Sequence, residues 1–119
     1  MTVIYVALGG ALGAVLRYWF ALVLSFPFGT LAVNVIGCFA MGVAMVGLLE
    51  FNKHLGAWAP LVMTGILGGF TTYSAFALDT LRLYEAGEAL AAAAYALGTF
   101  ILAIAAIFLG VAMGRGLFS

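Results

Sequence analysis

Charge along this chain falls in short clusters separated by four long apolar runs: Val3 to Leu24 with Arg17 inside it, Thr30 to Leu49, Leu55 to Leu78, and Ala89 to Met113. Each run meets the requirement of about 20 residues for a helix that crosses a bilayer. The pattern predicts an all-α membrane protein with spans at about 3–24, 30–49, 55–78 and 89–113, all in one domain covering 1–119. The gaps at 25–29, 50–54 and 79–88 are short, so neighbouring spans run antiparallel and no soluble domain fits between them. A β-barrel is excluded, because the runs are continuously apolar instead of alternating over about 10 residues. The first run has no basic leader and exceeds the roughly 7 to 15 residues of a signal h-region, so it is expected to stay as a span.

Composition adds weight without changing the picture. Hydrophobic residues make up 67% of the chain, charged residues 7%, and mean hydropathy is +1.29, values outside the range of a soluble domain. The expected location is the cell membrane, with no nucleic-acid partner. No nucleotide-binding loop, thiol pair or serine–histidine pair occurs, which excludes the common enzyme chemistries.

The third run is interrupted. Gly68-Gly69-Phe70-Thr71-Thr72-Tyr73-Ser74 places a glycine pair and two threonines at mid-span. A break within lipid persists only when protein or a wet cavity covers the freed backbone groups. A helix that restarts after such a break offers N–H groups at its amino end, favouring an anion, while the preceding half leaves carbonyls that favour a cation. The break is therefore the expected functional centre.

Flanking Lys and Arg set the orientation of a membrane protein, and here they tie. Lys53 and Arg115 fall on one face; Arg82, and Arg17 if it reaches outward, fall on the other. A chain without directional bias inserts both ways, and two opposed copies pair about an axis in the membrane plane. An antiparallel, dual-topology homodimer is expected. Small residues four apart support close helix approach: Gly9 and Gly13, Gly65 and Gly69, Gly110 and Gly114.

Polar residues inside the spans are few and striped. Thr30 and Asn34 are four apart in the second span, Tyr95 and Thr99 four apart in the fourth, and Thr71 to Ser74 occupy the break. Such residues face the bundle interior or a water path. The Asn34 amide suits an anion or a neighbouring carbonyl. Tyr73 and Phe76 share a face after the break, where the positive edges of their rings replace water around a small anion. Arg17 lies well inside the first span, where it either attracts anions or reaches an interface and pairs with Asp79 and Glu85. The spans as drawn hold no carboxylate, which argues against proton or cation couplers. Cys38 stands alone and packs; His54 is a solvated loop residue; Trp19, Trp58 and Tyr84 suit the aromatic belts at span ends.

Three segments together carry a resemblance. Gly9-Gly10-Ala11-Leu12-Gly13-Ala14-Val15-Leu16-Arg17-Tyr18, Gly29-Thr30-Leu31-Ala32-Val33-Asn34-Val35-Ile36-Gly37-Cys38-Phe39 and Gly68 to Phe76 resemble, in order, the signatures of the Fluc (CrcB) family of fluoride channels. The resemblance implies a dual-topology dimer with two fluoride pores that export fluoride passively from the cytoplasm. It also implies a structural sodium ion (Na+) held at the dimer centre by the carbonyls of Gly68 and Thr71. Tyr73 and Phe76 would coordinate fluoride, Asn34 would line the pore, and Tyr95 with Thr99 would match a polar track. Tyr73 stands where many members carry Phe, and Ala103 where the track has its next hydroxyl. The competing readings are a small multidrug-type transporter, which needs a membrane-embedded glutamate, and a non-conducting structural subunit.

Overall fold

The computed structural model describes residues 1–51 and 53–118, with the side chains of residues 51, 53 and 54 left aside. The expectations for the Lys53 charge and the His54 ring therefore concern side chains outside the described residues. Helix α1 covers Thr2–Val23 and α2 covers Phe28–Ala44. The chain then widens to i→i+5 turns over Met45–Phe51, tightens to 3₁₀ over Lys53–Trp58, and widens again over Pro60–Leu67 before α3, Gly68–Phe70. After two extended residues, Thr71 (φ −82°, ψ 156°) and Thr72 (φ −153°, ψ 125°), α4 runs over Tyr73–Glu85 and α5 over Ala89–Phe118. Four stretches are long and apolar enough to cross a membrane: Thr2–Val23, Phe28–Glu50, Leu55–Glu85 and Ala89–Phe118.

The break lets the third span change partners. Before it, Pro60–Leu67 and α3 lie along α1; beyond it, α4 lies against α5, while α2 packs chiefly on α5. Glycines set both close contacts. A Cβ on Gly9 would stand 2.6 Å from the Leu61 carbonyl oxygen, and one on Gly69 would stand 2.6 Å from that of Gly10. On the other side, a Cβ on Gly42 would collide with the backbone of Ile107 and Val111, and one on Gly110 with Phe39. Lipid supplies no hydrophobic drive between helices, so backbone-to-backbone approach of this kind replaces it. The three glycine pairs read as dimer or packing stripes are used here within one chain.

One boundary differs from expectation in a way that matters. The polar stretch 79–88 is mostly helix, and the true connection is only 86–88. Gly87 takes φ 83°, its N–H bonds to Tyr84 O at 3.1 Å, and the Glu88 N–H bonds to Leu83 O at 3.0 Å. This is the paired ending that a left-handed glycine allows. The extension carries Asp79 into the body of α4, where it is 7% exposed. A carboxylate does lie within a spanning helix, because the helix outlasts its apolar run by two turns.

Candidate functional site

Why the third helix stops at Thr71 is visible in its hydrogen bonds. An uninterrupted helix would send the Thr72 N–H to Gly68 O and the Ala75 N–H to Thr71 O. Instead the Thr72 N–H donates to Asn34 Oδ1 at 2.8 Å, and the Ala75 N–H donates to Thr72 Oγ1 at 3.1 Å. The Asn34 amide completes its side of the exchange by donating from Nδ2 to Thr72 O at 2.9 Å. A side chain of α2 thus pairs with the broken backbone as a neighbouring strand would, while Thr72 caps α4. Gly68 O and Thr71 O are left without a donor among the described residues. Leu67 O receives both the Thr71 N–H and its hydroxyl, each at 3.0 Å.

Arg17 reaches the same place from α1. Its Nε donates to Gly69 O at 3.2 Å, at the negative end of the first half-helix. The expected pairing with Asp79 or Glu85 does not form: the ion pair found among the described residues is Arg115 with Glu50, at 2.8 Å, on the exposed ends of α5 and the second span. Register decides this, since Arg17 follows Gly13 by one turn and Gly13 touches the backbone of Ile66 and Phe70.

Beyond the break the aromatic residues form a row from α4 to α5. Tyr73 and Phe76 have ring centroids 5.8 Å apart at 66°, and Phe76 and Tyr95 5.4 Å apart at 40°. Phe76 packs on a cluster of Leu83, Ala92 and Tyr95, whereas Tyr73 is 82% exposed on the flank of the chain. A groove of about 420 Å³ is lined by Asn34, Thr71, Thr72, Tyr73, Phe76 and Thr99, with Cys38 and Ala103 on its apolar side. A second, of about 590 Å³, runs past Arg82, Glu88, Tyr95 and Thr99. Thr99 lines both.

Two buried hydroxyls here find no hydrogen-bond partner of good geometry among the described residues: Thr99 Oγ1 and Tyr95 OH, the latter with Thr30 and Asp79 beside it. An unsatisfied buried polar group costs about 1–3 kcal/mol, so a pair on one helix face points to a ligand or water that the site is shaped to receive. Asn34, Thr71, Tyr73, Phe76 and Thr99 thus meet in one groove, Tyr95 lines the other, and Thr30 lies beside the Tyr95 hydroxyl without lining either. Arg17 stands apart, behind the half-helix. Asp79 is the residue that reading the sequence missed; its spacing of three from Phe76 and four from Leu83 was the signal, since it puts all three on one face of α4.

Chemically, the arrangement offers two kinds of group. The unpaired carbonyls at Gly68 and Thr71 suit a hard cation. Among the described residues no cluster of His, Cys, Asp or Glu suits a metal ion. For an anion, the route offers hydroxyls at Tyr95 and Thr99, ring edges at Tyr73 and Phe76, and the free N–H groups at the start of α4.

Comparison with known proteins shows the family of the chain. Residues 4–111 match the model of a family described as CrcB-like protein, Camphor Resistance (CrcB). A protein of Paracoccus denitrificans named fluoride-specific ion channel FluC is 49% identical over 125 residues, covering 99% of this chain and 98% of its own. Proteins of the same name from Rhizobium etli and Cereibacter sphaeroides are 50% and 48% identical, covering 94% and 97% of this chain and 94% and 95% of their own.

Proposed function

Because this chain belongs to the CrcB-like family, we propose that it is a fluoride-selective channel that passively releases fluoride from the cytoplasm. The observation that carries the reading is the groove at the break, which gathers Asn34, Tyr73, Phe76 and Thr99 around a route with two unpartnered buried hydroxyls. Fluoride is small and strongly hydrated, so a pore must replace its water with donors at short range. The Thr99 and Tyr95 hydroxyls, the second N–H of Asn34 Nδ2 and the positive ring edges of Tyr73 and Phe76 are such donors. Hydrogen fluoride enters cells as the neutral acid and ionises in the more neutral cytoplasm. A passive pore then lets an inside-negative potential drive fluoride out.

The working unit is an antiparallel homodimer. The balanced flanking charges support insertion in both directions. The 82% exposure of Tyr73 supports it too, since half of an aromatic clamp lies on an uncovered flank. A structural sodium ion belongs to the same reading. The Gly68 and Thr71 carbonyls, freed by Asn34 and by the Thr72 cap, would hold it, and an opposed copy would double their number. Bound there, the ion would offset the negative ends of the half-helices and tie the copies together.

Fluoride efflux from liposomes, recorded with a selective electrode beside chloride efflux at the same potential, tests the proposal. Rapid fluoride loss with negligible chloride loss supports it; no flux from demonstrably dimeric protein gives the place to a structural subunit. The buried Asp79 also makes a proton-coupled exchanger worth testing. An imposed pH gradient that drives uptake of a cationic substrate would favour that reading instead.

A further inference from the structure

A permanent charge well inside an apolar span is expensive and has to be offset locally. At Arg17 the offset is backbone. Its Nε donates to Gly69 O at 3.2 Å, and no carboxylate forms an ion pair with it among the described residues. The carbonyls ending the first half-helix carry the negative pole of its dipole, worth about half an elementary charge. They are divided with little overlap. Leu67 O is taken by Thr71 and Gly69 O by Arg17, while Gly68 O, Phe70 O and the following Thr71 O have no donor among the described residues. α1 approaches closely here, a Cβ on Gly69 standing 2.6 Å from Gly10 O, and Arg17, two turns further along α1, meets the end of the half-helix at Gly69.

We propose that Arg17 is a positioning residue that acts as a resident cation. By occupying Gly69 O it caps the half-helix, holds its last turn in place, and restricts which carbonyls remain for a mobile ion. It is not an attractor that draws anions from solution. Because the guanidinium lies beside the carbonyl set, it also lowers the affinity of that set for a second cation, so the ion there is bound more weakly than the carbonyls alone would hold it. The part concerning a second cation rests on the sodium reading above; the capping role does not.

The test uses the full chain as wild type, Arg17→Met and Arg17→Lys. Thermal unfolding in detergent is followed while sodium replaces a bulky organic cation at constant ionic strength. Fluoride flux from liposomes is measured at about 10 mM and about 1 M salt, between which the screening length falls from about 30 Å to about 3 Å. Arg17→Met is expected to lose most flux at both salt levels and to unfold at lower temperature. Arg17→Lys should recover most of each. The sodium concentration giving half of the stabilisation should fall by about tenfold in Arg17→Met, as a like charge is removed and a carbonyl released.

A flux loss that disappears at high salt with unchanged unfolding would make Arg17 an anion attractor and overturn the proposal. An equal fall in unfolding temperature at every sodium concentration, with the midpoint unmoved, would leave an ordinary structural bond and overturn the positioning role. If wild-type unfolding is indifferent to sodium, the cation reading fails by itself. Capping is then decided by Arg17→Lys: recovery at both salt levels supports it, and failure to recover overturns it.

Discussion

Asn34 and Thr72 exchange two hydrogen bonds, Thr72 N–H to Oδ1 at 2.8 Å and Nδ2 to Thr72 O at 2.9 Å, across 38 positions of sequence. That exchange fixes which way the amide faces, since the reverse orientation would set donor against donor. It also commits one of the two Nδ2 hydrogens and leaves the other for the groove. Asn34→Asp keeps the acceptor but loses the donor and adds charge. It is expected to reduce fluoride flux at least tenfold in the liposome assay. Asn34→Ala leaves the Thr72 N–H unsatisfied, so its unfolding free energy should fall by about 1–3 kcal/mol. Full flux in either variant would assign the amide to packing.

Phe76 and Tyr73 separate a ring from a hydroxyl. Phe76 touches Tyr73 on one side and Tyr95 on the other, so its edge cannot be moved without disturbing both. Phe76→Ile retains bulk and loses the quadrupole; fluoride flux should fall sharply while dimerisation in detergent is retained. Tyr73→Phe keeps the ring edge, and the hydroxyl it removes makes no hydrogen bond to the described residues of its own chain. Its flux should stay within about twofold of wild type, a difference below about 0.4 kcal/mol in barrier. Strong loss in Tyr73→Phe would place the hydroxyl itself on the ion route.

Glycine substitutions separate helix contact from helix propensity. A Cβ at Gly13 would meet the backbone of Ile66 and Phe70, and one at Gly42 the backbone of Ile107 and Val111. Neither neighbour can yield by rotating a side chain, so Gly13→Ala and Gly42→Ala should each prevent recovery of well-folded protein from membranes. Gly98 has nothing within 4 Å of a built Cβ. Gly98→Ala should be neutral to stabilising by up to about 1 kcal/mol, as expected for glycine in a helix. Size-exclusion profiles and unfolding temperatures compare the three directly.

Part of this arrangement is legible in the chain itself. Run length alone was enough for the four spans, because no other fold satisfies the backbone of about 20 apolar residues. The Gly68-Gly69 pair marked the break, and the spacing of four between Tyr95 and Thr99 marked one face of α5. The bond partners were not legible. A carboxamide pairs equally well with an anion or a peptide, so only the register of α2 against the break selects Thr72 for Asn34. Charge alone matches Arg17 to Asp79 and Glu85, yet the glycine contact at Gly13 sets its level beside Gly69. As the first charge after an apolar run, Asp79 marks the end of a span by sequence. Two further helical turns and the Gly87 ending bury it instead.

Thr99 offers the sharpest separation of function from stability. Its hydroxyl is buried, 4% exposed, unpartnered, and common to both grooves. Replacing an unsatisfied buried hydroxyl with a methyl of similar shape removes a desolvation cost of about 1–3 kcal/mol without opening a cavity. Thr99→Val is therefore expected to raise the unfolding temperature. If the hydroxyl is held unsatisfied because passing fluoride uses it, the same variant should conduct fluoride several-fold more slowly. Stability bought at the expense of activity is the signature of a site kept for function. A variant that unfolds later and conducts normally would remove Thr99 from the route. One that unfolds earlier would mean that an ordered water already satisfies the hydroxyl, and the argument for fluoride using it would lose its footing.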